Sequence, residues 1–91
     1  MKIRDFNELN FRSQLELLHK SATELGNVFP WYGNLRIISI YSLYDFFVEL
    51  ECDLTNKEFT RIYTFRSFKY LEKYPHHFDK IKNKVYSILN Q

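Results

Sequence analysis

The first hydrophobic pattern along the chain has the period of a helix. Five apolar residues follow one another at steps of four, three, four and three positions: Phe11, Leu15, Leu18, Ala22 and Leu25. This spacing places them on one stripe of a helix, with the polar residues between them on the other side. We predict a helix over residues 7–25, with Asp5 or Asn7 as its N-cap and Gly26-Asn27 as its left-handed end.

The middle of the chain changes to the pattern of strands. Apolar and polar residues alternate with a period of two over residues 46–53, and residues 58–66 are rich in the Thr, Ile, Tyr and Phe that strands favour. Upstream, residues 35–43 can pair back onto the first of these runs through a two-residue turn at Tyr44-Asp45. The sequence therefore predicts three strands in succession.

The loop between the last two strands predicts their register. It suits a three-residue hairpin loop that ends at Asn56 in the left-handed conformation. That loop places Glu49 opposite Arg61 and Asp53 opposite Lys57, which gives two pairs of opposite charge.

The C-terminal part of the chain is predicted to be helical in two pieces. Ser67 caps a short segment over residues 68–74, and Pro75 forces a break or a new start. Beyond it, four apolar residues repeat at steps of three, four and three: Phe78, Ile81, Val85 and Ile88.

Read in order, these elements predict an α+β fold. The 91 residues form a single domain over residues 1–91 with the order α-β-β-β-α. The strands make a three-stranded antiparallel meander. Because each terminal helix has a single apolar stripe, we expect both helices to pack on one face of this sheet.

The other sheet face is then left largely uncovered, and it is rich in aromatic residues. Exposed rings mixed with charges are typical of protein interfaces, and a contiguous patch of this kind rarely stays exposed in a monomer. We therefore predict a partner-binding surface on this face, formed by Phe47, Glu49, Phe59, Arg61, Tyr63 and Phe65.

Two further readings of this surface remain open. The connector over residues 28–34, with Phe29, Trp31 and Tyr32, can instead fold across the aromatic face and cover it. The strand edges at residues 35–43 and 58–66 offer a second route to dimers, by edge-to-edge pairing.

Residues 46–65, FFVELECDLTNKEFTRIYTF, resemble a hairpin of small uncharacterised bacterial proteins. The shared features are an aromatic-aromatic-Val-Glu strand, an Asn-bearing turn and an aromatic-rich return strand, and the resemblance implies no activity. The order α-β-β-β-α is also similar to that of the double-stranded-RNA-binding domain. That family has a longer first strand connection and a lysine cluster opening its last helix, whereas this chain has Tyr44-Asp45 and Ser67-Phe68-Lys69-Tyr70 at those places.

Composition and charge exclude several classes. No apolar run approaches the length of a membrane span, and the N-terminus lacks the apolar stretch of a secretory signal. Cys52 is the single cysteine, so no internal disulfide forms and a cytoplasmic protein is expected. The net charge of +2 is too small to imply a polyanionic partner by itself.

No pattern in the sequence predicts catalysis, a metal or a cofactor. His76 and His77 are adjacent and point in different directions on a helix, so they do not chelate as a pair. Cys52 falls on the apolar face of a strand, where a thiol is usually inert. Glu49 and Glu51 share one strand face, as in some metal-dependent nucleases, but the lysine that such sites carry two residues after the acid is absent. We expect a protein that is not an enzyme.

The sequence thus favours a non-catalytic interaction or regulatory module, such as an adaptor, an inhibitor or an antitoxin-like regulator. It would bind a protein partner or a second copy of itself. The alternative is a nucleic-acid-binding module, because lysines interleaved with tyrosines suit phosphates and unpaired bases. Its candidate residues are Lys69, Lys73, Lys80, Lys82 and Lys84.

Overall fold

The sheet of this protein has four strands, each paired with its neighbour along the chain. The structure is a computed structural model that describes residues 1–29 and 35–90. The strands are antiparallel, in the order β1-β2-β3-β4. Their bounds are Thr23–Val28 (β1), Arg36–Leu43 (β2), Phe46–Asp53 (β3) and Glu58–Phe65 (β4). The α+β class is confirmed, and the prediction of three strands is wrong by one.

The N-terminal region forms two helices, where the sequence predicted one. They are α1 over Ile3–Glu8 and α2 over Phe11–Ser21. The chain breaks between them because Asn10 caps α2, its Oδ1 accepting a hydrogen bond from the Ser13 amide at 2.8 Å. The Lys2 amide donates to Asp5 Oδ2 at 3.1 Å at the start of α1.

The strand that the sequence missed is β1, which begins two residues after α2 ends. Residue Leu25 continues the helical spacing of α2 by coincidence, but it is a bulged residue between the pairs Glu24–Tyr41 and Gly26–Ile40. Gly26 is not a helix end. It has a φ of 157°, and a Cβ at this position would lie 2.8 Å from Ile81 Cγ1. A side chain here would therefore clash with the C-terminal helix.

The turn between β2 and β3 is the one predicted. Leu43 pairs with Phe46, so Tyr44 and Asp45 form a two-residue turn, with Tyr44 at a φ of 53°. Because β1 pairs with the other side of β2, the predicted free edge at residues 35–43 is wrong.

The turn between β3 and β4 is one residue longer than predicted. It spans residues 54–57, and the left-handed residue is Lys57, at a φ of 58°, instead of Asn56. The Asn56 Oδ1 accepts a hydrogen bond from the Glu58 amide at 3.1 Å.

The register of β3 and β4 differs from the prediction by two positions near the middle of the strands. Arg61 pairs with Glu51 and Tyr63 pairs with Glu49. Thr60 is an extra residue between the pairs Glu51–Arg61 and Cys52–Phe59, so β4 carries a bulge there. The longer turn shifts the pairing by one position and the bulge by a second, so the predicted pairs Glu49–Arg61 and Asp53–Lys57 are wrong.

The C-terminal region follows the predicted division. A 3₁₀ helix over Phe68–Lys73 begins after Ser67, whose Oγ accepts a hydrogen bond from the Lys69 amide at 3.2 Å. A second 3₁₀ helix, His76–Phe78, follows Pro75 and leads into α3 over Asp79–Leu89.

The helices cover opposite faces of the sheet, and the prediction that they share one face is wrong. Helices α1 and α2 cover the side that we call the N-helix face, with the buried residues Phe6, Leu18, Leu43, Phe46, Val48 and Leu50. Residues 68–89 cover the C-helix face, with Leu25, Ile38, Ile40, Phe47, Phe65, Leu71, Phe78, Ile81 and Val85. Neighbouring residues of β3 are buried on both sides, so each side needs its own helical layer. The α-β-β-β-α similarity to the RNA-binding domain therefore does not describe this chain.

Within residues 1–29 and 35–90, none of the helices combines the length and the apolar character that crossing a membrane requires.

Candidate interaction surface at the edge of the sheet

Half of the predicted partner-binding residues lie in the protein interior. Phe47 is 1% exposed, Glu49 2% and Phe65 5%. They were expected to be uncovered, and the expectation is wrong because residues 68–89 pack over them. Most of the proposed cover by residues 28–34 falls outside the described part of the chain. Of its two described residues, Val28 ends β1 and Phe29 is 58% exposed.

The aromatic residues of the C-helix face form a run of stacked rings. Phe65 stacks on Phe47 with ring centroids 5.4 Å apart and on Tyr70 at 4.7 Å, and Tyr70 also stacks on Tyr63 at 4.8 Å. Tyr70 comes from the 3₁₀ helix that follows β4, so these contacts hold that helix on the sheet. Much of the aromatic content of the chain is therefore used in the core.

Glu49 is a buried carboxylate, and two consecutive hydrogen bonds connect it through Tyr70 to Arg61. Tyr70 Oη donates to Glu49 Oε2, and Arg61 Nη2 donates to Tyr70 Oη at 3.3 Å. Burial and the hydrogen bond to Glu49 raise the pKa of the Tyr70 hydroxyl above its usual range. The Tyr70 hydroxyl therefore remains a hydrogen-bond donor to Glu49 at a higher pH than an ordinary tyrosine would.

The second carboxylate of β3 also has partners. Glu51 Oε1 lies 3.2 Å from Arg36 Nη1 and accepts a hydrogen bond from Thr60 Oγ1 at 2.8 Å. In the described part of the chain no three His, Cys, Asp or Glu side chains are grouped as a metal site would need. Glu49 and Glu51 share a face as predicted, but each of them is engaged by other side chains.

The remaining three predicted residues, Phe59, Arg61 and Tyr63, are exposed on β4. Because of the bulge at Thr60, Phe59 lies on the N-helix face, whereas Arg61 and Tyr63 lie on the C-helix face. Phe59 is 46% exposed and Tyr63 is 44% exposed. The Arg61 guanidinium carbon lies 5.0 Å above the centre of the Tyr63 ring. The predicted surface is thus divided between two sides of one strand.

The two edges of the sheet differ in how they are protected. On β1, the bulge at Leu25 interrupts the strand, and the Leu25 carbonyl accepts a hydrogen bond from Lys84 Nζ at 2.9 Å. On β4, no strand of the described residues lies beyond the edge, and residues 58–61 are all exposed. The prediction of an open edge at residues 58–66 therefore agrees with the position of β4 in the sheet.

A cleft lies on each face beside or near β4. On the N-helix face, a groove of about 460 Å³ has Leu18, Leu50 and Phe59 among its apolar lining and His19, Glu24 and Tyr41 as its polar residues. Burial, and then the nearby charge of Glu24, raise the pKa of Tyr41. On the C-helix face, a cleft of about 240 Å³ is lined by Ile38, Glu49, Glu51, Arg61, Lys73 and Tyr74.

Three of the five candidate lysines for nucleic-acid binding have their ammonium groups placed against the protein itself. Lys73 Nζ lies 3.9 Å from the centre of the Tyr70 ring. Lys82 Nζ donates to the Tyr74 carbonyl at 2.6 Å, and Lys84 Nζ makes the bond to β1 described above. Lys69, Lys73, Lys80 and Lys84 are exposed, whereas Lys82 is half-buried. The contacts of Lys73, Lys82 and Lys84 thus hold part of the predicted lysine surface against the protein.

Comparison with known proteins identifies no relative: no protein-family model, no curated protein and no solved structure matches the chain. The resemblance of residues 46–65 to hairpins of small bacterial proteins stays a prediction.

Proposed function

We propose that this protein is a non-catalytic protein-binding module that takes up a strand of its partner along β4. The observation that supports this most directly is the combination of an open edge with exposed rings. β4 is an eight-residue edge strand, and Phe59 and Tyr63 project from it on opposite faces.

An edge strand offers unpaired backbone N–H and C=O groups, which an extended segment of another protein can complete. Backbone pairing supplies affinity without sequence preference, and side chains on either face then supply specificity. Phe59 and Tyr63 would hold the added strand from its two sides. Arg61, stacked on Tyr63, adds a charge at the centre of the same surface.

The bulge at Thr60 restricts which strands can pair with the β4 edge. Bulges and charged side chains on an edge discourage the regular pairing that leads to aggregation. Regular pairing is available over residues 61–65, where the register of β4 is uninterrupted. A partner strand would therefore be short and would depend on its side chains for affinity.

The test is affinity capture from a lysate of the source cell with matched variants. Phe59→Ala combined with Tyr63→Ala removes the two rings at the edge. Phe11→Ala combined with Tyr86→Ala removes two rings that are 40% and 58% exposed elsewhere. We expect the first pair to lose a near-stoichiometric protein that the wild type and the control pair retain, with all three proteins equally folded by circular dichroism.

Equal recovery by both pairs would contradict the proposal. If nuclease treatment removes whatever the wild type captures, the alternative function of nucleic-acid binding takes its place, with exposed Lys69 and Lys80 as the first residues to replace. If light scattering shows a dimer that the edge variant alone loses, the partner is a second copy.

A further inference from the structure

The charges of this protein are unevenly distributed along the chain. Residues 57–91 contain eight Lys or Arg and three Asp or Glu, whereas residues 1–56 contain five and eight, respectively. The part of the chain that forms β4 and the C-terminal layer therefore has a net charge of +5, and the rest has −3. These cations do not all lie near the open edge, because Lys80, Lys82 and Lys84 belong to α3, which contacts β1. Residues 57–73, which form β4 and the 3₁₀ helix beside it, contain five Lys or Arg and two Asp or Glu, a net charge of +3.

Two of the cations of residues 57–73 lie at the cleft beside β4. Arg61 and Lys73 both line the cleft of about 240 Å³, and both are exposed. Among the described residues, neither cation has a carboxylate within ion-pair distance. Arg61 contacts the Tyr63 ring and the Tyr70 hydroxyl, and Lys73 lies over tyrosine rings.

The carboxylates of the same cleft already have partners. Glu49 is 2% exposed and accepts the hydrogen bond of Tyr70, while Glu51 is held by Arg36 and Thr60. The acids therefore form the buried part of the cleft, and the two cations form its solvent-facing part. A guanidinium has five N–H donors, and the Tyr70 hydroxyl takes one of those of Arg61.

We propose that the strand taken up by β4 is acidic, and that one of its carboxylates binds between Arg61 and Lys73. This inference rests on the proposed function, because it names the chemistry of the partner at the same edge. Side chains of a strand alternate between faces, so every second residue of the partner would lie on the C-helix face near Arg61 and Tyr63. The recognised segment is therefore extended, with Asp or Glu at alternate positions.

A second copy of the chain offers this edge fewer acids than the proposed segment does. Its β4 carries one carboxylate, Glu58, and one guanidinium, Arg61. A segment with Asp or Glu at alternate positions brings several carboxylates and no cation to Arg61 and Lys73, so it avoids placing like charges opposite one another.

The experiment titrates the ¹⁵N-labelled full chain with three eight-residue peptides. One alternates Glu with Val, one alternates Gln with Val, and one alternates Lys with Val. We expect the Glu peptide to shift the amide signals of residues 61–65 and to bind more weakly as salt is added. The Lys peptide should cause no shift in β4.

Matched variants separate the proposed contact from a general effect of charge. Arg61→Ala combined with Lys73→Ala should weaken binding of the Glu peptide about tenfold, as expected for losing a charged contact. Lys20→Ala combined with Lys80→Ala removes the same charge from exposed positions on α2 and α3, and it should leave the affinity within about twofold, since distant exposed charges are screened.

Three results would overturn the inference. If the Glu and Gln peptides bind β4 equally well, the acidic preference is wrong while strand addition stands. If the two double variants weaken binding by the same factor, the carboxylate does not lie between Arg61 and Lys73. If none of the peptides shifts a β4 amide at millimolar concentration, both the inference and the proposed strand addition fail.

Discussion

The two faces of the sheet carry comparable numbers of large apolar side chains, but they are covered to different extents. On the C-helix face, Phe65 stacks on both Phe47 and Tyr70, and Phe47 and Phe65 are almost fully buried. On the N-helix face, helix α2 leaves a groove of about 460 Å³, and Phe59 at this groove is 46% exposed. Aromatic content alone therefore does not show which face is a binding surface.

The difference arises from what the rings contact. The C-terminal layer brings its own tyrosines and phenylalanines to the sheet, so rings stack on rings and enclose the Glu49 carboxylate. The N-terminal layer brings mostly leucines, together with Phe6, and covers the end of the sheet near Leu43 and Phe46. The far end of that face, where β4 begins, stays open.

The largest expected effect comes from opening the covered face. Phe47→Ala should lower the free energy of unfolding by about 3–5 kcal/mol, because it creates a cavity beneath the stacked rings. Phe59→Ala should cost less than about 1 kcal/mol, since half of that ring is already in solvent. Urea denaturation of the two variants measures both values. Similar losses would mean that the two faces are equally covered.

A clash at the contact between β1 and α3 should come next in size. Gly26→Ala places a methyl group 2.8 Å from Ile81 Cγ1, and overpacking of this kind costs about 1–3 kcal/mol. In a background that already carries Ile81→Ala, the added cost of Gly26→Ala should be clearly smaller, because the clashing atoms are gone. Strict additivity in this double-mutant cycle would contradict the close contact.

Removing one hydroxyl from the covered face should have a comparable or smaller effect. Tyr70→Phe leaves the buried Glu49 carboxylate without its donor, which costs about 1–3 kcal/mol. Tyr63→Phe is the matched control: it removes a hydroxyl from a ring that stacks on Tyr70 but is 44% exposed, and unfolding should be unchanged. If Tyr70→Phe is as neutral as its control, the hydrogen bonds that connect Arg61 to Glu49 through Tyr70 contribute nothing to stability.

The smallest effect is a dependence on alkaline pH. The pKa of Tyr70 is raised in the folded protein, chiefly by burial and by the bond to Glu49. A tyrosine with a raised pKa contributes stability that is complete below its unfolded value of about 10 and is lost as the pH rises beyond it. The difference in unfolding free energy between the wild type and Tyr70→Phe should therefore shrink above about pH 10. A difference that stays constant to pH 11 would contradict the raised pKa; Tyr41, also raised, is common to both proteins and cancels.

Some of the fold follows from local sequence signals. The alternation along β3 and the short turn after Leu43 predict the β2–β3 hairpin, and Ser67 and Pro75 mark where the C-terminal pieces begin. Each of these signals depends on residues that are close together in the chain, so it can be recognised from the sequence alone.

The strand β1 and the β4 register could not be predicted, because tertiary contacts decide them. The strand Thr23–Val28 contains Glu, Gly and Asn and is stabilised by pairing with β2 and by α3. The bulge at Thr60 shifts the register of β4 and separates Phe59 from Tyr63. Nothing in the local alternation signals an extra residue there.

Only half of the candidate surface was predicted correctly, because tertiary contacts decide which of its residues are buried. Sequence reasoning found the exposed residues of β4 but also included Phe47, Glu49 and Phe65, because it placed both helical layers on one face. Glu49 could have been assigned to the interior only by knowing that Tyr70 reaches it from the following 3₁₀ helix. The ring content of residues 68–78 was the available hint that this segment has an aromatic surface to cover.

Amide hydrogen exchange of the dilute protein tests most directly whether β4 is an open edge. In a strand paired on one side only, alternate amides point away from the sheet. We predict that alternate amides between residues 61 and 65 exchange far faster than the amides of β3, which is paired on both sides. Uniform protection of β4, equal to that of β3, would show that this edge is already paired or covered, and it would contradict the proposed binding surface.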